Sequence, residues 1–170
     1  MIPTGRRRVL LAMAGLLVAA CTPGRKTGLQ AGDPFPELAL VDLDGRPQAY
    51  RPRHGRAALV NLWATWCEPC RREMPALDRL AQSHGGRGLD VLALSLDDDA
   101  NLVKEFLLRY RLRLPVLLDP RQESTKHLLS GAVLPRSYLV APDGHVVEVV
   151  ERYRDWDSPE AQAAVVRLTG

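Results

Sequence analysis

The chain has 170 residues, 46% hydrophobic and 25% charged, with 13 Gly, 13 Pro and 3 Cys. That profile fits one ordinary globular domain rather than two, and so few cysteines make neither a disulfide-stapled scaffold nor the four-ligand set of a closed zinc site. The formal charge is +3, but without Arg6, Arg7 and Arg8 the 23 basic residues fall to 20 and match the 20 acidic ones. With no net charge and no basic stripe interleaved with aromatics, the electrostatic footprint of a nucleic-acid binder is missing.

Met1 to Arg8 is short and basic, and Val9 to Ala20 is an unbroken apolar run. A helix of that length spans only ~18 Å, against roughly 30 Å of hydrocarbon, so residues 1–20 read as a secretory signal rather than a membrane span. Val18-Ala19-Ala20-Cys21 resembles a bacterial lipobox, which implies cleavage before Cys21 and lipid on that cysteine. The alternative is an ordinary signal with a free cysteine near its end. Arg6-Arg7-Arg8-Val9-Leu10 also loosely resembles a twin-arginine export signal. Several acyl chains, each methylene contributing about 0.8 kcal/mol, would anchor the domain stably to a bacterial membrane, on its extracytoplasmic or periplasmic side. Residues 21–32, rich in Gly and small polar residues, read as a flexible tether, and 33–170 as the folded domain.

Within that domain, Leu38 to Arg46 reads as a strand running through Asp-Leu-Asp-Gly into a hairpin. Ala57 to Ala64 is almost continuously apolar, as suits a central strand buried on both faces, and its one polar residue is Asn61. Pro69 opens a helix with apolar positions at Met74, Leu77, Leu80 and Ala81 that should end before Gly85-Gly86. Leu89 to Leu96 is a second buried strand, and Leu102, Val103, Phe106, Leu107 and Tyr110 form the apolar face of a second helix. A short extended piece over Leu114–Asp119 precedes a short helix over Glu123–Leu129. Ser137–Val140 and His145–Val150, joined by Ala-Pro-Asp-Gly, form an antiparallel hairpin, and a helix over about Pro159–Leu168 closes the chain. Alternating β and α units followed by a hairpin and a helix imply an α/β fold, with a mixed central sheet flanked by helices on both faces and an N-terminal β-hairpin extension.

Strand gives way to helix at Cys67-Glu68-Pro69-Cys70. A Cys-x-x-Cys pair at such a junction is the signature of a thioredoxin-like redox site. Pro69 stiffens the first helical turn, and the helix N-terminus offers N–H groups and partial positive charge to a thiolate at Cys67. Cys67 is then the exposed nucleophile, and Cys70, one turn further in, resolves the mixed disulfide. Half of a zinc knuckle is the competing reading, but there is no second Cys pair, and His54, His84, His127 and His145 show no ligand spacing. No metal is therefore expected, and no cofactor beyond a redox-active Cys67–Cys70 disulfide.

The segment from Asn61 to Pro75, Asn-Leu-Trp-Ala-Thr-Trp-Cys-Glu-Pro-Cys-Arg-Arg-Glu-Met-Pro, resembles the TlpA-like family of exported thiol:disulfide oxidoreductases, in its ResA-type variant. Gly32-Asp33-Pro34-Phe35-Pro36 is similar to the family's opening, and Gly131-Ala132-Val133-Leu134-Pro135 to its substrate loop. The resemblance implies a thioredoxin-like fold and a cis proline at Pro135 beside the cysteine pair. A cis X-Pro bond turns the preceding backbone toward the site, so Leu134 would offer its N–H and C=O to a client's extended chain. Trp66, Glu68 and Pro69 would border the client site. The resemblance also places a functional glutamate at Glu73, while Asn61 stands where thioredoxin has a buried aspartate. Glu73 is therefore the candidate to move protons to and from Cys70, the competing reading being a solvated acid favoured by the helix dipole.

Glu68 and Glu73 both oppose thiolate formation, whereas strong oxidants of this fold stabilise a low-pKa thiolate, so the local acids argue for a reductant. Arg71 and Arg72 argue the other way, but as solvent-screened surface charges. A reductant outside the cytoplasm needs a membrane thiol-disulfide electron donor. Its clients, by resemblance, are disulfides in apocytochrome c or in copper-assembly proteins, and the chain itself is read as a monomer. Two rivals differ in spacing. A peroxiredoxin-like peroxidase has a Thr three residues before its reactive cysteine, whereas Thr65 is two before Cys67; a copper-binding assembly factor of the same fold has three residues between its cysteines. Trp63 is expected in the core, and the Asp97-Asp98-Asp99 run at a helix N-terminus, as caps and dipole partners rather than calcium ligands.

Overall fold

The computed structural model describes residues 28–129, 131 and 133–170. The signal expected at 1–20, the expected lipidation residue Cys21 and the expected tether up to residue 27 lie outside the described residues.

Strands β1 (Leu38–Val41) and β2 (Pro47–Tyr50) form the expected hairpin. Its turn is closed by the Asp42 carboxylate, which accepts the backbone N–H groups of Asp44 and Arg46 at 2.8 and 2.9 Å. Then follow β3 (Ala57–Trp63), α1 (Glu68–His84), β4 (Leu89–Ser95), α2 (Ala100–Tyr110), β5 (Val116–Leu118), α3 (Lys126–Leu129), β6 (Arg136–Val140), β7 (Val146–Glu151) and α4 (Pro159–Thr169). They build one seven-stranded sheet in the order β2-β1-β5-β4-β3-β6-β7. β3 runs parallel to β4 and antiparallel to β6, and β4 runs parallel to β5, so the sheet is mixed. β5 is short because Pro115, immediately before it, has no N–H to extend the ladder. The β6–β7 turn is the expected Ala141-Pro142-Asp143-Gly144, with Gly144 at φ 91°, a conformation that suits a residue without Cβ.

Every residue of β3 is buried, Asn61 included, as a nearly continuous apolar run requires of a central strand. One core layer packs Met74, Leu77 and Leu80 of α1, Val103 and Phe106 of α2, and Val165 of α4 against Leu59, Trp63 and Val91 of the sheet. The other gathers Phe35, Leu128 of α3 and Tyr138 over Val60, Leu62 and Leu94. Helices thus cover both faces, though the second is covered by one helical turn and the N-terminal segment. Two expectations shift. Leu102 and Tyr110 of α2 are about half exposed, because the helix buries a narrower stripe through Val103 and Phe106. Residues 28–32, read as the end of a tether, lie on the domain: Leu29 packs against the second core layer and the Gly32 N–H donates to the Val146 carbonyl at 2.7 Å.

Candidate functional site

The site sits where the parallel strands end, the side of such sheets on which crevices form. The Cys67 N–H donates to the Ala64 carbonyl at 3.1 Å, closing a tight turn after β3, and Cys67 then becomes the N-cap of α1. Its sulfur accepts the Cys70 N–H at 3.3 Å. One donor that a helix start leaves unmet is therefore spent on this sulfur, where the helix dipole also favours negative charge. Pro69 occupies the first turn, as its missing N–H permits. The two cysteines are joined as a disulfide with Cα atoms 5.3 Å apart. Cys67 retains 6% of its surface and Cys70 none, so Cys67 is the more accessible of the two, but it is buried rather than exposed as expected, shielded by the cap geometry that seats its sulfur over α1.

The turn is held by a residue that the sequence made look ordinary. Asp97 is buried, and its carboxylate accepts the Thr65 N–H at 2.9 Å, the Thr65 hydroxyl at 2.6 Å and the Ser95 hydroxyl at 2.8 Å. It is no helix cap; that role falls to Asp99, which accepts the Asn101 N–H. The reason lies in register: Trp63 pairs with Ser95, so the residues just beyond each strand meet. Asp97→Ala strands three donors, and we expect it to lower the unfolding free energy by about 2–4 kcal/mol in a denaturant titration. A change below about 0.5 kcal/mol would show that the turn stands without it.

Behind the pair, Glu73 is only 1% exposed, which removes the solvated-acid reading. One carboxylate oxygen accepts the Arg154 backbone N–H, and the other accepts the Asn61 side-chain N–H at 3.1 Å. Asn61 also donates to the Ser137 hydroxyl at 2.8 Å, linking β3, β6 and α1 through one buried amide. Burial pushes the Glu73 carboxyl up to about 7, against the Arg154 and Asn61 hydrogen bonds, which favour the anion. The Trp156 indole N–H favours the anion as well, though it closes no hydrogen bond of ordinary length among the described residues. Ser137, Arg154 and Trp156 escaped the sequence reading because they reach Glu73 only through tertiary contact.

In front of the pair lies a cavity of about 430 Å³ bounded by Trp66, Cys67, Pro69, Leu96, Gln122, Leu129, Val133 and Leu134. Trp66 is 68% exposed, as a residue at a docking rim can be, while Trp63 is in the core. The Leu134–Pro135 peptide is cis. Glu68 is exposed and pairs with Arg71 at 3.7 Å. Arg71 also donates to the Tyr110 hydroxyl at 3.0 Å, and Arg72 stacks over Tyr153 at 5.1 Å, so both arginines lie on the surface against aromatic rings. The structure thus brings together Trp66, Cys67, Pro69 and Leu134 at the cavity, places Cys70 and Glu73 behind them, and leaves Glu68 on the outer surface. Among the described residues no three His, Cys, Asp or Glu side chains gather as a metal-binding group, and no helix is long and apolar enough to cross a membrane.

The protein family described as Redoxin matches residues 30–165, nearly all of the described chain. The chain belongs to the Redoxin family. Among its Redoxin relatives, a thiol-disulfide oxidoreductase ResA of Bacillus cereus is 34% identical over 127 residues, covering 74% of this chain and 72% of its own. That of Geobacillus thermodenitrificans is 30% identical over 142 residues, covering 84% and 81%. The crystal structure of a putative thiol:disulfide interchange protein DsbE from Chlorobium tepidum superposes with a TM-score of 0.75 at 24% identity, over 84% of this chain and all of that one, and shows the thioredoxin-like fold. The TlpA-like, ResA-type resemblance read from residues 61–75 is thereby shown, and this Redoxin protein is a thiol:disulfide oxidoreductase with a Cys67–Cys70 disulfide.

Proposed function

We propose that this oxidoreductase works outside the cytoplasm as a lipid-anchored reductant of client disulfides. The observation that carries the reading is a sulfur at the N-cap of α1, facing an apolar cavity, with a buried carboxyl of pKa about 7 behind its partner. The Cys67 thiolate attacks one client sulfur, a mixed disulfide forms, and a client thiolate leaves. Cys70 then gives up its proton, with Glu73 as acceptor, and attacks the Cys67 sulfur. The second client thiolate leaves, the Cys67–Cys70 disulfide is regenerated, and two electrons have passed to the client. A membrane thiol-disulfide donor returns two electrons and two protons. Leu134, before the cis Pro135, offers its backbone to the client strand, and Trp66 and Pro69 supply apolar rim. Glu68 adds negative charge at the outer edge.

Client disulfides in apocytochrome c or in copper-assembly proteins suit this reading, which rests there on family resemblance. The reduction potential of the Cys67/Cys70 couple is the deciding measurement. A value below about −220 mV is expected, and one above roughly −150 mV would make the protein a disulfide-forming oxidant. The anchor rests on Val18-Ala19-Ala20-Cys21. Cys21→Ser should move the protein from the membrane to the soluble fraction of a cell lysate, and retention of the variant on the membrane would end the lipid-anchor reading.

A further inference from the structure

A guanidinium is buried immediately after the cis proline. The Arg136 side chain is 3% exposed, lying in the central sheet between β3 and β7. Removing a charge from water is costly unless each of its donors finds a well-placed partner, and an apolar side chain would fill such a place with less penalty. Among the described residues Arg136 has two side-chain hydrogen-bond partners. Its Nη1 donates to Glu151 at 2.7 Å, and its Nε donates to the Tyr138 hydroxyl at 2.8 Å. The Tyr138 hydroxyl in turn donates to the Leu128 carbonyl at 2.6 Å.

That last bond meets a specific need. α3 is a single turn, Lys126–Leu129, too short to hold itself in water. The segment leading into it is held by Asp119, whose carboxylate accepts the Ser124 and Thr125 N–H groups at 3.0 and 2.8 Å. The far end is held by Tyr138. The next residue, Leu129, is a wall of the cavity over Cys67, and Leu134, on the cis peptide preceding Arg136, is the wall beside it. A buried chain of hydrogen bonds, Arg136 to Tyr138 to Leu128, therefore ties together the two walls between which a client strand would lie.

We propose that Arg136 and Tyr138 are positioning residues for client recognition: they fix the α3 wall relative to the cis-proline strand, so that the cavity receives the residues flanking the client cysteine. This rests on the client-exchange reading above. Neither residue touches the reacting sulfurs, so the effect belongs to binding of an extended client and not to the chemistry at Cys67. Glu151 shares the role at a distance. Its side chain is 64% exposed, and it supplies the countercharge that keeps the guanidinium aimed.

The test compares two disulfides on the same reduced protein: a synthetic peptide disulfide whose cysteine is flanked by leucine and valine, and 5,5′-dithiobis(2-nitrobenzoate), too small to span both walls. Tyr138→Phe keeps the ring and removes only the hydroxyl, and Glu151→Gln alters an exposed side chain; thermal melts establish that each variant is compared in its folded state. Tyr138→Phe is expected to raise KM for the peptide about fivefold and Glu151→Gln about twofold to threefold, with kcat and the small-disulfide rate constant within twofold of wild type. The inference is overturned if Tyr138→Phe leaves the peptide KM within twofold of wild type, or if peptide and small-disulfide rates fall together. A wild-type protein that exchanges with the small disulfide but favours the peptide no better would sink the inference and leave the oxidoreductase activity standing. Failure of wild type with both disulfides would remove the exchange reading itself.

Discussion

Cys67→Ser is expected to abolish thiol–disulfide exchange. A serine hydroxyl neither ionises near neutral pH nor forms a disulfide, and Cys70 cannot stand in for it because its sulfur has no exposed surface. The second-order rate constant with a small disulfide should fall by more than about three orders of magnitude, the loss expected when a nucleophile is removed from a site that otherwise stays folded. Cys70→Ser should behave differently. Cys67 still attacks, but no second thiol releases the client, so mixed disulfides accumulate and are visible by non-reducing electrophoresis or intact mass. If the two variants exchanged roles, with Cys67→Ser trapping clients, the assignment of nucleophile and resolving thiol would be reversed. The N-cap position of Cys67 gives the physical basis for the order expected, since its sulfur alone receives the Cys70 N–H and the favourable end of the helix dipole.

Glu73→Gln should change both stability and rate, and the sign follows from burial. The carboxyl titrates at about 7 in the folded protein against an ordinary 4.5. Between those values the native state holds a proton that the unfolded chain has released, so stability falls as pH rises through this window, and the penalty is fully present above about 7. Its size is on the order of 3 kcal/mol. The glutamine variant carries no such charge, so its stability should be flat across that window and should exceed wild type at pH 8. The buried amide of Asn61 can turn to accommodate it, because its Oδ1 has no hydrogen-bond partner among the described residues and can accept from the new side-chain N–H. Turnover should move the other way, falling about a hundredfold at neutral pH as the proton acceptor for Cys70 is lost. The inflection near pH 7 in the wild-type rate should vanish with it. A variant with the wild-type rate and pH profile would confine Glu73 to a structural role, whatever its effect on stability.

The strands and helices were legible because their signals are local. The apolar run of β3, the spacing of Met74, Leu77 and Leu80, and the Asp-Gly and Pro-Asp-Gly turns each declare themselves within a few residues. The cysteine pair was legible for the same reason. The cis bond at Pro135 was not written in the residues themselves and came only with family resemblance. What stayed hidden was the polar wiring of the interior. Three successive aspartates look alike in sequence, yet Asp99 caps α2 while Asp97 pins the turn before Cys67, a difference set by the pairing of Trp63 with Ser95. Asn61 stood out as a polar residue in a buried strand, but its partners Glu73 and Ser137 are 12 and 76 residues away. Arg136 and Tyr138 alternate along β6 like any strand pair, and only the position of Leu128 shows why both are buried.

One atom in this site carries two duties. The Cys67 sulfur that reacts with a partner is also the acceptor on which the first turn of α1 depends, so the covalent state of the thiol and the order of the helix start are a single variable. A thiolate accepts the Cys70 amide proton more strongly than a sulfur bonded to another sulfur, because charge strengthens the hydrogen bond. Reduction is therefore expected to tighten the helix end and to slow exchange of the Cys70 amide with solvent, as hydrogen exchange on the oxidised and reduced protein would report.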